Sequence, residues 1–368
     1  MEWYTIQNVQ EVDSPSIIIY QDRVERNIDT MIKQVSPIDR LIPHIKTNKM
    51  HEVVQLLLKK GINKVKTATI SEAELAAKAG MKYVLIAHQL VGPKQQRLFK
   101  LIESFPNTQF STIVDDKSIV NQLSSLATKH QVTLHLYLDV NSGMNRSGFP
   151  IEGDILSFYK SLSRTPQIIC KGLHVYDGQF RSADAKERQS AIQDSFTQVQ
   201  QLIKNIESSG LITPDIIAGG SPSFSTHSQF INRLVSPGTV ILWDAGYAEK
   251  YPEQEYIFAA LIITRIISKP ATGIITLDLG HKAIAAENPI HNRVRFLNLT
   301  DYTLLSQSEE HGVIQTSEWD RLNVGDVLYG VPYHVCPTVN LYDEAYIIEE
   351  NHFSKMWAIE GRKRRILI

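Results

Sequence analysis

A lysine stands at the end of a short apolar run in the segment "LIPHIKTNK", where a predicted strand meets a predicted helix. Lys46 closes the run and Lys49 follows three residues later. A lysine amine at such a position can form a Schiff base with a carbonyl group. The ordinary alternative for either lysine is a salt bridge or a solvated loop.

Two glycine-containing turns later in the chain have the composition of an anion site. They are "AGGSPSF" and "VSPGT", in which backbone N–H groups and hydroxyls come from Gly220, Ser221, Gly238 and Thr239. Such turns bind phosphate, although Gly and Pro also end strands that bind nothing. A phosphate beside Lys46 would make pyridoxal phosphate the cofactor that these residues could hold.

A further cation and a soft ligand pair complete the candidate residues. Arg146, in "SGMNRSG", could face the phenolic oxygen of the cofactor ring, or could form a surface ion pair. His334 and Cys336, in "GVPYHVCPTVN", are two residues apart and would share one face of a strand. Imidazole and thiolate suit zinc and would leave positions for substrate and water. A buried cysteine beside a packed histidine is the structural alternative.

The elements that position these residues alternate between strands and helices from residue 16 to residue 240. About eight strand–helix units occur, of which "SIIIY" is the first. This alternation predicts an α/β fold, a parallel (β/α)8 TIM barrel, whose functional residues lie at the carboxyl ends of the strands. A doubly wound open sheet is the alternative. The first strand is not followed by Gly-x-Gly-x-x-Gly, which argues against a dinucleotide site there.

After residue 240 the pattern changes to strands joined by turns, which predicts a mostly antiparallel C-terminal β-domain. We therefore predict a barrel over residues 16–240. Residues 1–15 are assigned, with 241–368, to the β-domain that carries His334 and Cys336, and are a candidate for one further strand of it.

Composition narrows the classes of function. The chain has 368 residues, 43% of them hydrophobic, and a formal net charge of −1, which gives no reason to expect a nucleic-acid or membrane-surface partner. No apolar run reaches the roughly 18–20 residues that span a bilayer. Two cysteines, Cys170 and Cys336, make no disulfide framework. With a polar N-terminus, these features predict a cytoplasmic protein.

The motifs together resemble the D-threonine aldolase and D-serine dehydratase family, relatives of alanine racemase. The resemblance rests on motifs that occur in order across nearly the whole chain: "PHIKTNK", "DVNSGMNRSG", "GLHVYDGQF", "GGSP", "SPGT", "SEEHG" and "HVCPTVN". It implies that Lys46 rather than Lys49 carries pyridoxal phosphate, that Arg146 lies near the ring oxygen, and that His174 and Tyr176 line the ring. It also implies a phosphate site at Gly220, Ser221, Gly238 and Thr239, a metal on His334 and Cys336 (zinc, with manganese as the alternative), and a homodimer.

The same resemblance implies a lyase that acts on small D-β-hydroxy amino acids, with the metal on the β-hydroxyl. "YDG" is similar to the aldolases and favours cleavage to glycine and an aldehyde, whereas His-x-Cys is similar to the dehydratases, which release ammonia and a 2-oxo acid. An amino-acid racemase is less favoured, because Ser236 stands where racemases have an arginine at the ring nitrogen. A non-enzymatic pyridoxal-phosphate carrier would be shorter and would lack the β-domain.

Overall fold

The computed structural model describes residues 2–364, which form two compact units. The barrel unit comprises residues 31–238 with Lys363 and Arg364. The sheet unit comprises residues 2–30 with 239–362. Each unit has its own β-sheet.

Strands and helices occur in the following order along the chain. The strands are β1 (Ser16–Tyr20), β2 (Lys64–Thr67), β3 (Tyr83–Ile86), β4 (Gln109–Val114), β5 (Leu134–Asn141), β6 (Phe149–Pro150), β7 (Ile168–Val175), β8 (Asp215–Ala218), β9 (Arg233–Val235), β10 (Ala260–Ala271), β11 (Ile274–Leu277), β12 (Val294–Phe296), β13 (Tyr302–Gln307), β14 (Gly312–Thr316), β15 (Val327–Pro332), β16 (Glu344–Glu349) and β17 (His352–Ala358). The α-helices are α1 (Gln21–Lys33), α2 (His51–Lys59), α3 (Ile70–Lys78), α4 (Pro93–Ser104), α5 (Lys117–Lys129), α6 (Ile155–Leu162), α7 (Ala185–Ser208), α8 (Phe224–Ser228), α9 (Ala245–Lys250) and α10 (Val335–Val339).

The barrel unit is a parallel sheet that closes on itself. Its strands follow the order β2-β3-β4-β5-β7-β8-β9, with β6 paired to β5. The segment 41–45 joins the two ends, because Leu41 bridges Val235 and His44 bridges Lys66, both in parallel register. The apolar strands pack inward on one another and outward on the crossover helices, as expected for this architecture. The predicted parallel barrel is confirmed.

The first strand of the barrel differs from the one that the sequence pattern indicated. The strand "SIIIY", β1, lies in the sheet unit, where it pairs antiparallel with β10 and parallel with β16. All five of its residues are buried, as suits a central strand covered on both faces. Residues 41–45 take the first place in the barrel, and β9 completes the eight.

The sheet unit is a mostly antiparallel sheet, as predicted. Its main path is β13-β14-β11-β10-β1-β16-β17, and β15 pairs with β10 and β12. No strand forms within residues 2–15, but Ile6 and Val12 pack in a buried cluster with Ile18, Leu261 and Val331. Of the helices in residues 2–364, none combines the length and the apolar character that crossing a bilayer requires.

Candidate active site

The carboxyl ends of the barrel strands bring most of the predicted cofactor residues to one end of the barrel unit. These residues lie at or just beyond the carboxyl ends of five parallel segments: Lys46 after the segment 41–45, Arg146 after β5, His174 in β7, Tyr176 after β7, Gly220 and Ser221 after β8, and Gly238 after β9. Since the strands are parallel, their carboxyl ends meet at the same rim of the barrel.

The two lysines of the opening motif have different environments. Lys46 is half-buried, and its Nζ makes no hydrogen bond or ion pair with any residue of the described chain. Lys49 is buried, and its Nζ lies 2.5 Å from Oε1 of Glu72, a carboxylate with no exposed surface. Glu72 also accepts a hydrogen bond from the backbone N–H of Ala68. Lys49 is therefore held in a structural ion pair, whereas the Lys46 amine is available to react.

Lys66 is a site residue that sequence reasoning missed. It lies in β2, is 2% exposed, and its Nζ donates a hydrogen bond to Oγ of Ser236. Burial first, and then the positive charge of Lys46, lower the pKa of Lys66 to about 7. The signal in the sequence is a lysine at the third position of "KVKT", inside a strand that is buried on both sides.

A buried carboxylate orients the predicted ring-lining histidine. Nδ1 of His174 lies 2.7 Å from Oδ1 of Asp139, and Ser147 Oγ donates to Oδ2 of the same carboxylate at 3.0 Å. Burial would raise the pKa of Asp139, but the hydrogen bonds from His174 and Ser147 and the charge of Arg146 lower it. Burial lowers the pKa of His174 despite Asp139, so that the ring stays neutral near pH 7. A neutral His174 donates its Nδ1–H to the carboxylate.

The Tyr176 ring forms a wall of the same region. The guanidinium carbon of Arg146 lies 4.6 Å from the ring centroid, and Lys66 Nζ lies 5.7 Å from it. A Cβ added to Gly220 would lie 3.0 Å from Tyr176 Cε2. A side chain at residue 220 would press against the ring, so glycine favours this close approach.

The two glycine turns are joined by serine hydroxyls. The Gly238 N–H donates to Ser221 Oγ, and the Gly220 N–H donates to Ser223 Oγ, each at 3.2 Å. A Cβ on Gly238 would lie 2.8 Å from the carbonyl oxygen of His44, which explains the glycine there. The turns after β8 and β9 thus form one cluster of N–H and O–H groups, the donor set that a phosphate accepts from.

The loop after Tyr176 is fixed by a second buried network. Asp177 accepts hydrogen bonds from Ser223 Oγ and His227 Nε2, both at 2.7 Å. Arg233 NH1 lies 2.9 Å from His227 Nδ1, and its guanidinium stacks on Phe196. Burial would raise the pKa of Asp177, but the charge and hydrogen bond of His227 and the bond from Ser223 lower it. This network anchors the loop that carries Tyr176 to the turn that carries Gly220.

Pyridoxal phosphate fits the charge of this end of the barrel. Lys66 interacts electrostatically with Lys46 and with Arg146, and the carboxylates that also interact with it, Asp177 and Asp139, are already bonded to His227 and His174. Gathered cations whose neighbouring carboxylates are bonded elsewhere favour an anion bound among them. A phosphate and a phenolate supply such anions, and the unpaired Lys46 amine matches an aldehyde.

The predicted metal pair lies in the sheet unit, and its local structure differs from the expectation. The strand β15 ends at Pro332, and His334 precedes the short helix α10, whose second residue is Cys336. The shared strand face was therefore wrong. The two side chains interact all the same, since a hydrogen bond with Cys336 and its charge raise the pKa of His334.

Anionic groups surround His334. Its Nδ1 lies 2.5 Å from Oε1 of Glu287, and the carboxylate of Asp244 accepts the N–H of Val335 at 3.0 Å. Burial alone would lower the pKa of His334, but the hydrogen bond and charge of Cys336, the bond to Glu287 and the charge of Asp244 raise it to about 9. Such a site attracts positive charge, which suits a divalent cation on imidazole and thiolate.

Within residues 2–364, no group of three or more His, Cys, Asp and Glu side chains has an arrangement that could hold a metal ion. Any metal on His334 and Cys336 would therefore complete its coordination with water or substrate.

Thr239, predicted at the phosphate, belongs to the sheet unit, and its Oγ1 lies 3.5 Å from Sγ of Cys336. Its phosphate role stays a prediction.

Comparison with known proteins identifies the family. Residues 19–245, more than half of the chain, match the alanine racemase N-terminal domain, and residues 259–348 match the putative serine dehydratase domain. The chain belongs to the family defined by the alanine racemase N-terminal domain, and it carries the serine dehydratase-type domain after it.

Individual relatives extend over nearly the whole chain. The 3-hydroxy-D-aspartate aldolase of Paracoccus denitrificans (strain Pd 1222) is 26% identical over 371 residues, covering 96% of this chain and 92% of that protein. The D-threonine aldolase of Arthrobacter sp is 25% identical over 358 residues, covering 95% and 93%.

Solved structures share the fold. The D-threonine aldolase from Filomicrobium marinum superposes with a TM-score of 0.88 at 24% identity, over 98% of both chains. The D-threo-3-hydroxyaspartate dehydratase from Delftia sp. HT23 superposes with a TM-score of 0.79 at 20% identity, over 94% of this chain and 97% of that one. These likenesses confirm a barrel of alanine racemase type followed by a mostly antiparallel β-domain.

Proposed function

We propose that this protein cleaves a D-β-hydroxy amino acid between Cα and Cβ, releasing glycine and an aldehyde. The chain is a pyridoxal-phosphate-dependent lyase. The observation that carries the proposal is the unpaired, half-buried amine of Lys46 among the cations Lys66 and Arg146, at the carboxyl ends of the barrel strands. The two aldolases that are similar over nearly the whole chain support the choice of bond.

The residues that would hold the cofactor follow from the contacts of the barrel unit. Lys46 would bind its aldehyde carbon covalently, the turns at Gly220, Ser221 and Gly238 would bind its phosphate, and Arg146 would face its phenolic oxygen. When bound, pyridoxal phosphate supplies an aromatic ring that stabilises negative charge at the substrate Cα.

The protein's own residues then orient the reacting groups and move a proton. A base takes the β-hydroxyl proton as the Cα–Cβ bond breaks, the aldehyde is released, and Cα needs one proton to give glycine. We assign the delivery of that proton to the amine of Lys46. His174, fixed by Asp139, and Tyr176, braced by Gly220, hold the surrounding walls in place, so that the substrate binds in one orientation.

A divalent metal on His334 and Cys336, zinc or manganese, is part of the proposal. The anionic surroundings of His334 support it, because they favour a bound cation over an empty pair of ligands. A metal ion there supplies a Lewis acid, which lowers the pKa of a hydroxyl that binds to it.

Elimination of the β-hydroxyl is the second candidate function. The match of residues 259–348 to the putative serine dehydratase domain favours it, as does the His-x-Cys pair. In that reaction Lys46 would remove the proton from Cα, and ammonia and a 2-oxo acid would be released. The two reactions share cofactor, metal and substrate class, and they differ in which bond at Cα breaks.

Product analysis separates the two candidates. Purified protein with pyridoxal phosphate and zinc or manganese is incubated with D-threonine, with D-serine and, as the stereochemical control, with L-threonine. Glycine with acetaldehyde from D-threonine is the expected result. Ammonia with 2-oxobutyrate would replace the aldolase by the dehydratase. Loss of both activities in Lys46→Ala ties either reaction to the proposed lysine.

We also propose that the chain forms a homodimer, as the family resemblance implies. Light scattering on the cofactor-loaded protein should give twice the chain mass of 41.6 kDa. A monomer at micromolar concentration would contradict this part of the proposal and leave the assignment of Lys46 unaffected.

A further inference from the structure

The proposed reaction assigns no role to the buried amine of Lys66. Its side chain is 2% exposed and points from β2 into the barrel end, where Ser236 Oγ accepts a hydrogen bond from Nζ. Ser236 in turn donates to the carbonyl oxygen of Gly219 at 2.8 Å, which fixes the direction of the bond from Lys66. No other residue of the described chain accepts a hydrogen bond from Lys66 Nζ.

A lysine in this state is costly for the folded protein. An amine carries two or three N–H groups, and one of them is satisfied here. Buried donors without partners destabilise a fold, and burial together with the charges of Lys46 and Arg146 outweighs the attraction of Asp177 and Asp139 in lowering the pKa of Lys66. A methionine or leucine would fill the same volume without that cost, which indicates that the remaining N–H groups serve a ligand.

The chemistry of the cofactor identifies the atom that needs this donor. Pyridoxal phosphate has four polar features, and the proposed site already has partners for three of them: Lys46 for the aldehyde, Arg146 for the phenolic oxygen, and the glycine turns for the phosphate. The remaining feature is the ring nitrogen. Of the charged side chains gathered at this end of the barrel, Lys66 is the buried one with donors to spare.

We propose that Lys66 binds the ring nitrogen of pyridoxal phosphate, donating a hydrogen bond from Nζ while Ser236 holds the amine in place. This inference rests on the proposed cofactor and adds a residue to its site. Nζ of Lys66 carries N–H groups whether or not it is charged, so the ring nitrogen accepts a hydrogen bond and remains unprotonated. The low pKa of Lys66, about 7, is compatible with this role, since either protonation state of the amine retains N–H donors.

Because its nitrogen is not protonated, the pyridine ring of the cofactor withdraws electrons from Cα only moderately. A protonated pyridinium would stabilise negative charge at Cα more strongly and for longer, which favours side reactions such as transamination. A ring nitrogen that only accepts a hydrogen bond limits that stabilisation. The hydrogen bond from Lys66 therefore sets how strongly the cofactor ring withdraws electrons, and the side chain also fills space at the barrel end.

Nitrogen-15 NMR of the bound cofactor tests the proposal directly. The protein is loaded with pyridoxal phosphate labelled with 15N in the ring, and the chemical shift is recorded for wild type, Lys66→Met and Lys64→Met. Lys64 is the matched control, because it lies two residues earlier in the same strand and its Nζ donates to the carbonyl oxygen of Asp39 at the other end of the strand. Borohydride reduction followed by peptide mass spectrometry identifies the lysine that carries the cofactor in each sample.

The expected result is an unprotonated, hydrogen-bonded ring nitrogen in wild type and in Lys64→Met, with a changed shift in Lys66→Met. A protonated ring nitrogen in wild type, or the same shift in Lys66→Met as in wild type, would overturn the role of Lys66 while cofactor on Lys46 still supported the proposed function. Absence of cofactor from Lys46 in wild type would overturn both. Lys66→Arg, which keeps a donor, should recover part of the wild-type shift if Lys66→Met folds poorly.

Discussion

The Nζ atom of Lys49 lies 2.5 Å from Oε1 of Glu72, whereas Lys46, three residues earlier, has no such partner in the described chain. The difference separates two lysines that the motif alone leaves equivalent. A lysine held in contact with a carboxylate without exposed surface is fixed in position and has its amine already occupied, so it is a poor candidate for the nucleophile. Lys46, the unpaired lysine, is therefore the one whose amine can react with an aldehyde.

Replacing Lys46 removes the amine that holds the cofactor. In Lys46→Ala we expect the rate of product formation to fall by at least about 10³-fold, as is common when a nucleophile is removed. The absorbance band of protein-bound cofactor should disappear along with the activity. Retained activity at more than a tenth of wild type would contradict the assignment.

Replacing Lys49 has a different expected effect, on folding. Lys49→Met leaves the Glu72 carboxylate buried and unpaired, which should lower the free energy of unfolding by about 3–5 kcal/mol. Urea denaturation of the cofactor-free protein measures the change, and Lys46→Met is the matched control with a small expected effect. Adding Glu72→Gln to Lys49→Met should restore part of the loss. Equal destabilisation by Lys46→Met and Lys49→Met would refute the ion-pair interpretation.

The buried Lys66 should make the stability of the cofactor-free protein depend on pH. Its pKa of about 7 in the folded state lies below the unfolded value of roughly 10.4, so between these values the unfolded state binds more protons. Raising the pH from 7 to 10 should therefore stabilise the fold, by up to about 1.4 kcal/mol per pH unit from this group. The comparison is with Lys66→Met, which lacks this contribution. Parallel pH profiles of the two proteins would contradict the low pKa.

Metal binding should depend on Cys336 and not on the other cysteine. We expect the variants Cys336→Ala and His334→Ala to lose zinc or manganese on dialysis. Their activity should fall to that of wild type treated with a chelator. Elemental analysis of the dialysed proteins gives the metal content. Cys170→Ala is the control, because Cys170 lies in a barrel strand, where burial raises the pKa of its thiol to about 11 and disfavours the thiolate. A full metal complement in Cys336→Ala would exclude the pair as the site.

The central position of β1 in the sheet unit predicts a large cost for truncating it. Ile18 has no exposed surface and lies opposite Leu261 and Tyr346 in the two neighbouring strands. Ile18→Ala should reduce the free energy of unfolding by about 2–5 kcal/mol. Ile212→Ala serves as the control, because Ile212 is 89% exposed and its truncation should cost little. Calorimetry or urea denaturation of both variants distinguishes the outcomes.

Several features of the molecule could be predicted from local patterns. The alternation of strands and helices indicated a parallel barrel, and the loss of helical spacing after residue 240 indicated an antiparallel β-domain, because both patterns reflect which faces of an element are buried. The predicted ends of the parallel strands also indicated that residues such as Arg146 and Gly238 lie at the same end of the barrel. These inferences need the order of elements along the chain and no knowledge of their partners.

Other features could not be predicted in this way. The strand "SIIIY" is as apolar as a barrel strand, and the sequence does not state that its neighbours are β10 and β16, more than 200 residues away. His334 and Cys336 were placed on a strand because a two-residue spacing allows it, whereas a helix that begins at Val335 brings them together by a different geometry. The position of Lys66 inside the strand "KVKT" can be read from the sequence, whereas its burial cannot.

The sequence by itself determined the fold class, the order of the motifs and the family, since these depend on periodicity and on residue types that a local segment carries. Only the tertiary structure decided which sheet β1 joins, which lysine is paired, and that Lys66 lies buried against Ser236. The physical reason is that pairing, burial and charge are relations between residues far apart in the chain. Their free energies exist only once the fold has brought those residues into contact.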